Sequence, residues 1–324
     1  MNENRTLKTF LGILIPNLAS LLIVGVCKYV VSSMYADYMT ESMKGHYRGP
    51  YTDYSSIFIF SDFIIVPLLM GIISAYFWRD LEFRNIRYVG MSAINSVFAI
   101  GLSAIFLGEG YICLVIVSPL VFGFVIAGTF IGKAMFRRRN NTLNSSVFGI
   151  LLIIILADTL SKHEYSNEVS DTITINAPAD SVWKYIVEYE PNTEKENFWL
   201  FQIGMPSPLQ STVDGHRVGA GRKCIFSNGY VFDEIMTVYE PAKDLTFDIV
   251  TQPRDPEIMG HIDILRGQFL LKQNGNGTTT LTGNSWYKLY VFPVWYFDIW
   301  ARSITRNVHL RVMEHVKKIC EKNV

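Results

Sequence analysis

The first 160 residues of this 324-residue chain hold five separate apolar runs, and nothing comparable follows them. A helix rises 1.5 Å per residue, so about 20 apolar residues cross a hydrocarbon layer about 30 Å thick. Runs at 10–31, 56–78, 89–108 and 111–132 meet that length; a fifth, 145–161, is short but contains the unbroken stretch Val147 to Ala157. The expected architecture is a bundle of five transmembrane α-helices over residues 1–164, followed by a water-soluble α+β domain over 165–324. Gly108-Glu109-Gly110 leaves room only for a tight turn, so the third and fourth runs should form a helical hairpin. The first run has a basic start but no small-residue cleavage site after it, and Val26 precedes Cys27 where a lipoprotein signal needs a small residue. It is therefore expected to be a retained helix.

Lysine and arginine in the short loops set the orientation of such a bundle. With the N-terminus in the cytoplasm, the inner segments carry Arg5, Lys8, Arg79, Arg84, Arg87, Lys133, Arg137, Arg138 and Arg139, and the outer loops only Lys44 and Arg48. Tyr35, Tyr38, Tyr47, Tyr51 and Tyr54 fit an aromatic belt at the outer surface. Five crossings place the C-terminal domain outside the cell or in a periplasm; failure of the fifth to cross would move it to the cytosol. Charges inside a membrane are costly and often functional. Lys28, Asp62, Glu109 and Asp158 all fall toward one end of the bundle, and Lys28 with Asp62 is the expected intramembrane ion pair. Snorkelling to the interface is the plainer account of Lys28 and Asp158.

The net charge is zero, which does not suit nucleic-acid binding. Of the four cysteines, Cys224 and Cys320 lie in the soluble half; they could pair in an oxidising compartment or act as small buried apolar residues. CxxC, CxH and HExxH patterns, P-loops and dinucleotide fingerprints do not occur, so neither metal nor cofactor is expected.

In the second half, Thr172 to Ile175 alternates as a strand does. A helix is expected from Pro178, with Val182, Trp183, Ile186 and Val187 on one face. Residues 190–219 read as irregular. Antiparallel strands follow at 221–227, 230–239, 244–251, 267–273 and 278–288, with hairpin signals at Asn228-Gly229 and Asn274-Gly275-Asn276-Gly277. A long helix over about 295–322 carries a stripe of Trp300, Ile304, Val308, Val312 and Val316 at four-residue spacing.

Strand, helix, curved antiparallel sheet and long terminal helix, in that order, resembles the helix-grip fold of the SRPBCC superfamily. That superfamily includes START-type lipid-transfer domains, pollen-allergen-like proteins and polyketide cyclase/dehydrase proteins. The resemblance is carried by Ile175-Asn176-Ala177-Pro178-Ala179-Asp180-Ser181-Val182-Trp183, by Tyr239-Glu240-Pro241 before Leu245-Thr246-Phe247, by Gly277-Thr278-Thr279-Thr280-Leu281 and by the terminal helix. It covers about residues 168–322. It implies a cavity between sheet and helix that binds an apolar ligand such as a lipid, a sterol or a polyketide.

Strand alternation lines that cavity with Phe226, Phe232, Phe247 and Phe269, and the helix adds Ile304 and Val308. Trp286 and Tyr287 fall on opposite faces of the last strand, so one of them points inward. Such residues also serve simply as core. The segment 252–266, with Ile258 and Met259, is long for a hairpin loop and has the length of a lid. For catalysis, Glu234, His261 and His309 are the candidate bases, His309 foremost because it adjoins the Val308 stripe. Three readings stand: a module binding a lipid-like ligand near the outer membrane surface, a protein-docking module with a filled core, and a cyclase or dehydratase acting on a hydrophobic substrate. The expected partners are a lipid or other apolar small molecule and the membrane, with a protein partner in the second reading.

Overall fold

The structure is a computed structural model that describes residues 2–34, 61–107, 110–136, 153, 164–253 and 261–322. The chain divides into two compact units, one helical and N-terminal, the other built on a sheet.

In the helical unit, α1 runs over Asn2–Met34 and α2 over Val66–Trp78, the latter entered through a wider π-helical turn, Ser61–Ile65. Helix α3 is Asn85–Leu102, continued by a π-helical turn to Leu107, and α4 is Tyr111–Phe136. Three stretches are long and apolar enough to cross a membrane: Asn4–Val26, Asn85–Phe106 and Tyr111–Phe136. Phe63–Trp78 is apolar but shorter. Three such helices therefore stand among the described residues where the sequence led us to expect five. The fifth run lies outside the described residues except for Ile153, as do Glu109, Asp158 and the side chains of Lys28 and Asp62.

Helices α2 and α4 meet backbone to backbone. A Cβ added at Gly128 would stand 2.0 Å from the Leu68 carbonyl oxygen, and one at Gly71 would stand 2.2 Å from that of Val125. Small residues allow this approach, and dispersion between the facing helices then stabilises it. Basic residues gather at one end: Lys8 pairs with Asp80 at 2.7 Å, Lys133 donates to Asn85 at 2.7 Å, and Arg87 stacks over Phe83.

The second unit is a seven-stranded, wholly antiparallel sheet of order β1-β7-β6-β5-β4-β3-β2. Its strands are β1 Tyr165–Ile175, β2 Pro208–Val213, β3 Gly221–Phe226, β4 Val231–Glu240, β5 Asp244–Thr251, β6 Ile262–Gln273 and β7 Thr279–Leu289. Two short helices, α5 Ala179–Val187 and α6 Trp199–Gln202, lie between β1 and β2, and α7, Val294–Lys322, closes the chain. The curled sheet with its long terminal helix is a helix-grip arrangement. The β3–β4 turn forms where expected: Gly229 takes φ +86°, which a side chain would resist, and Asn228 accepts from the Tyr230 amide.

Helix α5 buries Val182, Trp183, Ile186 and Val187, the expected face. The core joins them to Ile175, Met236, Leu245, Phe247, Phe269, Leu281, Val312, Met313 and Val316. Gly283 makes this packing possible, since a Cβ there would stand 2.6 Å from the Met313 sulfur. Two expectations need correction. Strand β2 occupies part of the stretch read as irregular, because Pro206 and Pro208 read as turns. The buried line of α7 is Phe297, Ala301, Thr305, His309, Val312, Met313, Val316 and Cys320, so the first half of the expected stripe (Trp300, Ile304, Val308) sits to one side of it, half-buried. Polar Thr305 and His309 have displaced those residues from the centre because the sheet offers His309 hydrogen-bond partners there.

Candidate functional site

The concave face of the sheet opposite α7 contains two apolar groups and two polar ones. Phe247 and Phe269, with ring centroids 6.2 Å apart, belong to the main core. Phe226 and Phe232 stack at 4.9 Å in a second cluster with Cys224, against which Tyr230, Ile249, Ile264 and Val308 pack. The expected lining is thus brought together as two groups. The four residues packed against the second group stay half-buried although they face the sheet's interior, and so does Ile304, one turn before Val308. Trp286 does not join either group. Strand β7 turns Tyr287 inward, fully buried, with its hydroxyl donating to Asp298 at 2.5 Å, and Trp286 lies on the opposite face. Alternation admits only one of two neighbouring residues on a face.

His309 is 4 % exposed and sits between two strands. Its Nε2 is 3.0 Å from Asp171 Oδ2 on β1, and its Nδ1 is 3.1 Å from the Ser285 hydroxyl on β7. A carboxylate only accepts, so Nε2 carries the proton, Nδ1 is the lone pair, and Ser285 donates to it. Burial pushes the imidazole below its usual range, against the pull of Asp171, and keeps it neutral near pH 7. Asp171 also meets Arg306 at 2.7 Å. The strand register explains the geometry: Asp171 faces Gly283 across the β1–β7 ladder, and the missing side chain leaves the imidazole its space.

The second polar group is the ion pair Arg222–Glu234 on β3 and β4, both nearly inaccessible. Arg222 also donates to the Val187 carbonyl at 3.2 Å and lies over the Phe247 ring at 4.6 Å. Burial raises the Glu234 carboxyl despite its partner. Glu234, a candidate base in the sequence, is thus committed to Arg222. One turn before His309, the Thr305 hydroxyl is buried and has no hydrogen-bond partner among the described residues.

Cys224 and Cys320 are both buried free thiols. Burial pushes Cys224 up to about 12 and Cys320 up to about 11, so neither is a nucleophile near neutral pH. The loop expected as a lid is shorter than the sequence implied, because β6 begins at Ile262; Ile258 and Met259 lie outside the described residues. His261 is engaged at the loop's end, its carbonyl accepting from Tyr290 at 3.1 Å. His315 packs on the Tyr189 ring, away from His309. Among the described residues no group of three His, Cys, Asp or Glu side chains could hold a metal. The sequence did not single out Asp171, Ser285, Thr305 or Arg222. Alternation was the available signal for the first two: Asp171 is in phase with Ile173 and Ile175, and Ser285 with Leu281 and Tyr287.

No family profile matches the chain, and no curated protein matches it. Among solved structures it is similar to truncated norcoclaurine synthase from Thalictrum flavum, at 10 % identity and a TM-score of 0.34 over 49 % of this chain and 96 % of that one. It is also similar to the Zhui aromatase/cyclase from Streptomyces sp. R1128, at 15 % identity and a TM-score of 0.34 over 49 % of this chain and 95 % of that one. At such values neither neighbour assigns this chain a function.

Proposed function

We propose that residues 1–164 anchor the chain in a membrane and that residues 165–324 bind a hydrophobic, lipid-like molecule on the exoplasmic side. The apolar length of the helices and the excess of Lys and Arg in the loops assigned to the inner side support the anchor and its orientation. One observation carries the binding role. Tyr230, Ile249, Ile264 and Val308, packed on the buried pair Phe226 and Phe232, form a half-buried apolar surface, close along α7 to the Thr305 hydroxyl, which has no partner among the described residues. An apolar wall with few polar groups is the usual make-up of a small-molecule site. An acyl chain or ring system would lie along the wall, and a hydroxyl or carbonyl of the ligand would meet Thr305. The test is native mass spectrometry of the full chain released in mild detergent. A co-purifying apolar ligand is expected, and Val308→Trp, which fills the wall, should remove it while leaving the strand signal in circular dichroism unchanged. A parent chain carrying no ligand, or a variant carrying as much, contradicts the proposal.

A second reading, chemistry on that ligand, is favoured by the Asp171–His309–Ser285 relay. A neutral imidazole whose nascent charge faces a carboxylate is a competent base, and it would act through the Ser285 hydroxyl. The released ligand, incubated with parent chain and with His309→Asn, should change mass only with the parent. No change with either leaves binding as the function.

A further inference from the structure

The start of α7 carries large apolar side chains in water. Trp295 is 66 % and Ile299 64 % exposed, and Phe292, before the helix, is 37 % exposed. Trp199, the first residue of α6, and Ile203, just after its last, are each 46 % exposed. Aromatic contacts join Trp199 to Trp295: the Trp199 ring lies 6.3 Å from Trp300, Trp300 lies 6.5 Å from Tyr296, and Tyr296 lies 5.9 Å from Trp295. Trp295 and Ile299 share one helical face with Arg302 and Arg306, both exposed, at positions i, i+4, i+7 and i+11. That face therefore passes from tryptophan and isoleucine to two arginines within roughly 15 Å of helix.

The place of the patch in the chain matters as much as its composition. Tyr165, the first residue of β1, pairs with Leu289, the last of β7, and Trp295 follows Leu289 by six residues. The apolar run that ends at Ala157 is eight residues before Tyr165. Eight residues span at most about 29 Å when fully extended. At most that length of chain separates the proposed anchor from the first residue of β1.

We propose that Phe292, Trp295, Ile299, Trp199 and Ile203 dock on the lipid bilayer, with Arg302 meeting a lipid phosphate and Arg306 remaining paired with Asp171. The proposal rests on the membrane-anchored reading above and adds to it a second, reversible point of contact. Tryptophan favours the headgroup level because its ring is apolar and its N–H polar. An amphipathic face with cations beyond its apolar part lies in the interface. The short tether makes this bilayer the surface the patch meets at high effective concentration. A docked patch would bring the start of α7, the helix that carries Ile304 and Val308, against the source of a lipid-like ligand.

The test uses the full chain in nanodiscs of phosphatidylcholine and phosphatidylglycerol, with a benzophenone amino acid placed at Ile299, at Trp295, or at the control position Val218. Val218 is 60 % exposed in the turn before β3. On irradiation, lipid adducts at Ile299 and Trp295 should exceed those at Val218 by about tenfold, as expected for side chains resting in the interface. Equal yields at the three positions, or adducts at Ile299 with protein instead of lipid, overturn the docking. Extraction of the parent chain from membranes by alkaline carbonate overturns the anchor reading instead, so the two failures are told apart.

Discussion

Both units bury polar side chains, and among the described residues only the sheet unit buries charged ones. In the helical unit those described are neutral amides and hydroxyls. Asn17 on α1 donates to Asn95 on α3, Asn95 donates to Ser74 on α2 at 2.8 Å, and Ser92 meets Thr129 on α4 at 2.9 Å. All five are at most 4 % exposed. In the sheet unit the described buried polar groups include charged and titratable ones, Arg222 with Glu234 and His309 beside Asp171, as well as neutral ones such as Ser211, Gln252 and Thr279. The surroundings account for the difference. On the proposed membrane placement, the helices gain specificity from neutral hydrogen bonds and avoid the cost of a charge at depth. A domain that folds in water can desolvate a charge pair once apolar packing and further hydrogen bonds, such as that from Arg222 to Val187, offset the loss of hydration.

The largest effect expected from this contrast is at Arg222. Arg222→Met strands the Glu234 carboxylate and should cost about 3–5 kcal/mol, whereas the double variant Arg222→Met, Glu234→Leu should lose far less or gain stability. Thermal unfolding in detergent, followed by the strand signal, measures both. A single and a double variant that lose the same amount would show that the pair is not isolated from water. In the helical unit the corresponding change should be mild. Asn95→Leu removes hydrogen bonds but leaves no charge, and an interhelical hydrogen bond of this kind averages about 0.6 kcal/mol, at most about 1.7. Unfolding in increasing sodium dodecyl sulfate reads this change. A loss as large as that of Arg222→Met would erase the distinction between the two units.

The smallest effect concerns pH. His309 binds its proton less readily folded than unfolded, where imidazoles titrate near about 6.5. Above that pH both states are neutral and the residue contributes no pH dependence. As pH falls below it, the unfolded chain takes up a proton that the folded chain resists, so stability is lost on acidification. His315, also lowered by burial, acts in the same direction. His309→Asn should therefore flatten the fall in melting temperature between pH 7 and pH 5. An unchanged slope would show that the Asp171 contact holds the imidazole at its unfolded affinity.

The two units were also unequally legible from sequence. The strands after Gly221 could be read because alternation and glycine turns are local signals, and Asn228-Gly229 forms its turn within the hairpin it joins. Strand β2 could not be read: Ser211 and Thr212 belong to a strand only because β3 lies beside them. The helix α7 was legible but its rotation was not. Apolar spacing favoured Ile304 and Val308 as the inward line, and hydrogen bonds from strands more than a hundred residues away in the case of Asp171 turned His309 to the centre instead. In the helical unit, Lys28 and Asp62 stand out in the sequence as charges, while the buried polar contacts described there are made by Asn17, Asn95, Ser74, Ser92 and Thr129. Asparagine and serine are common enough in sequence to carry no signal until the helices bring them together.

The account depends most on the half-buried apolar wall of the sheet unit holding a lipid-like molecule. A photoactivatable fatty acid, cross-linked to the full chain in membranes and mapped by peptide mass spectrometry, tests this directly. Labelling should fall on the peptides bearing Phe226, Phe232 and Val308 and be competed by the unlabelled fatty acid. Label confined to the apolar helices before residue 137, with none on those strands or on α7, would contradict it.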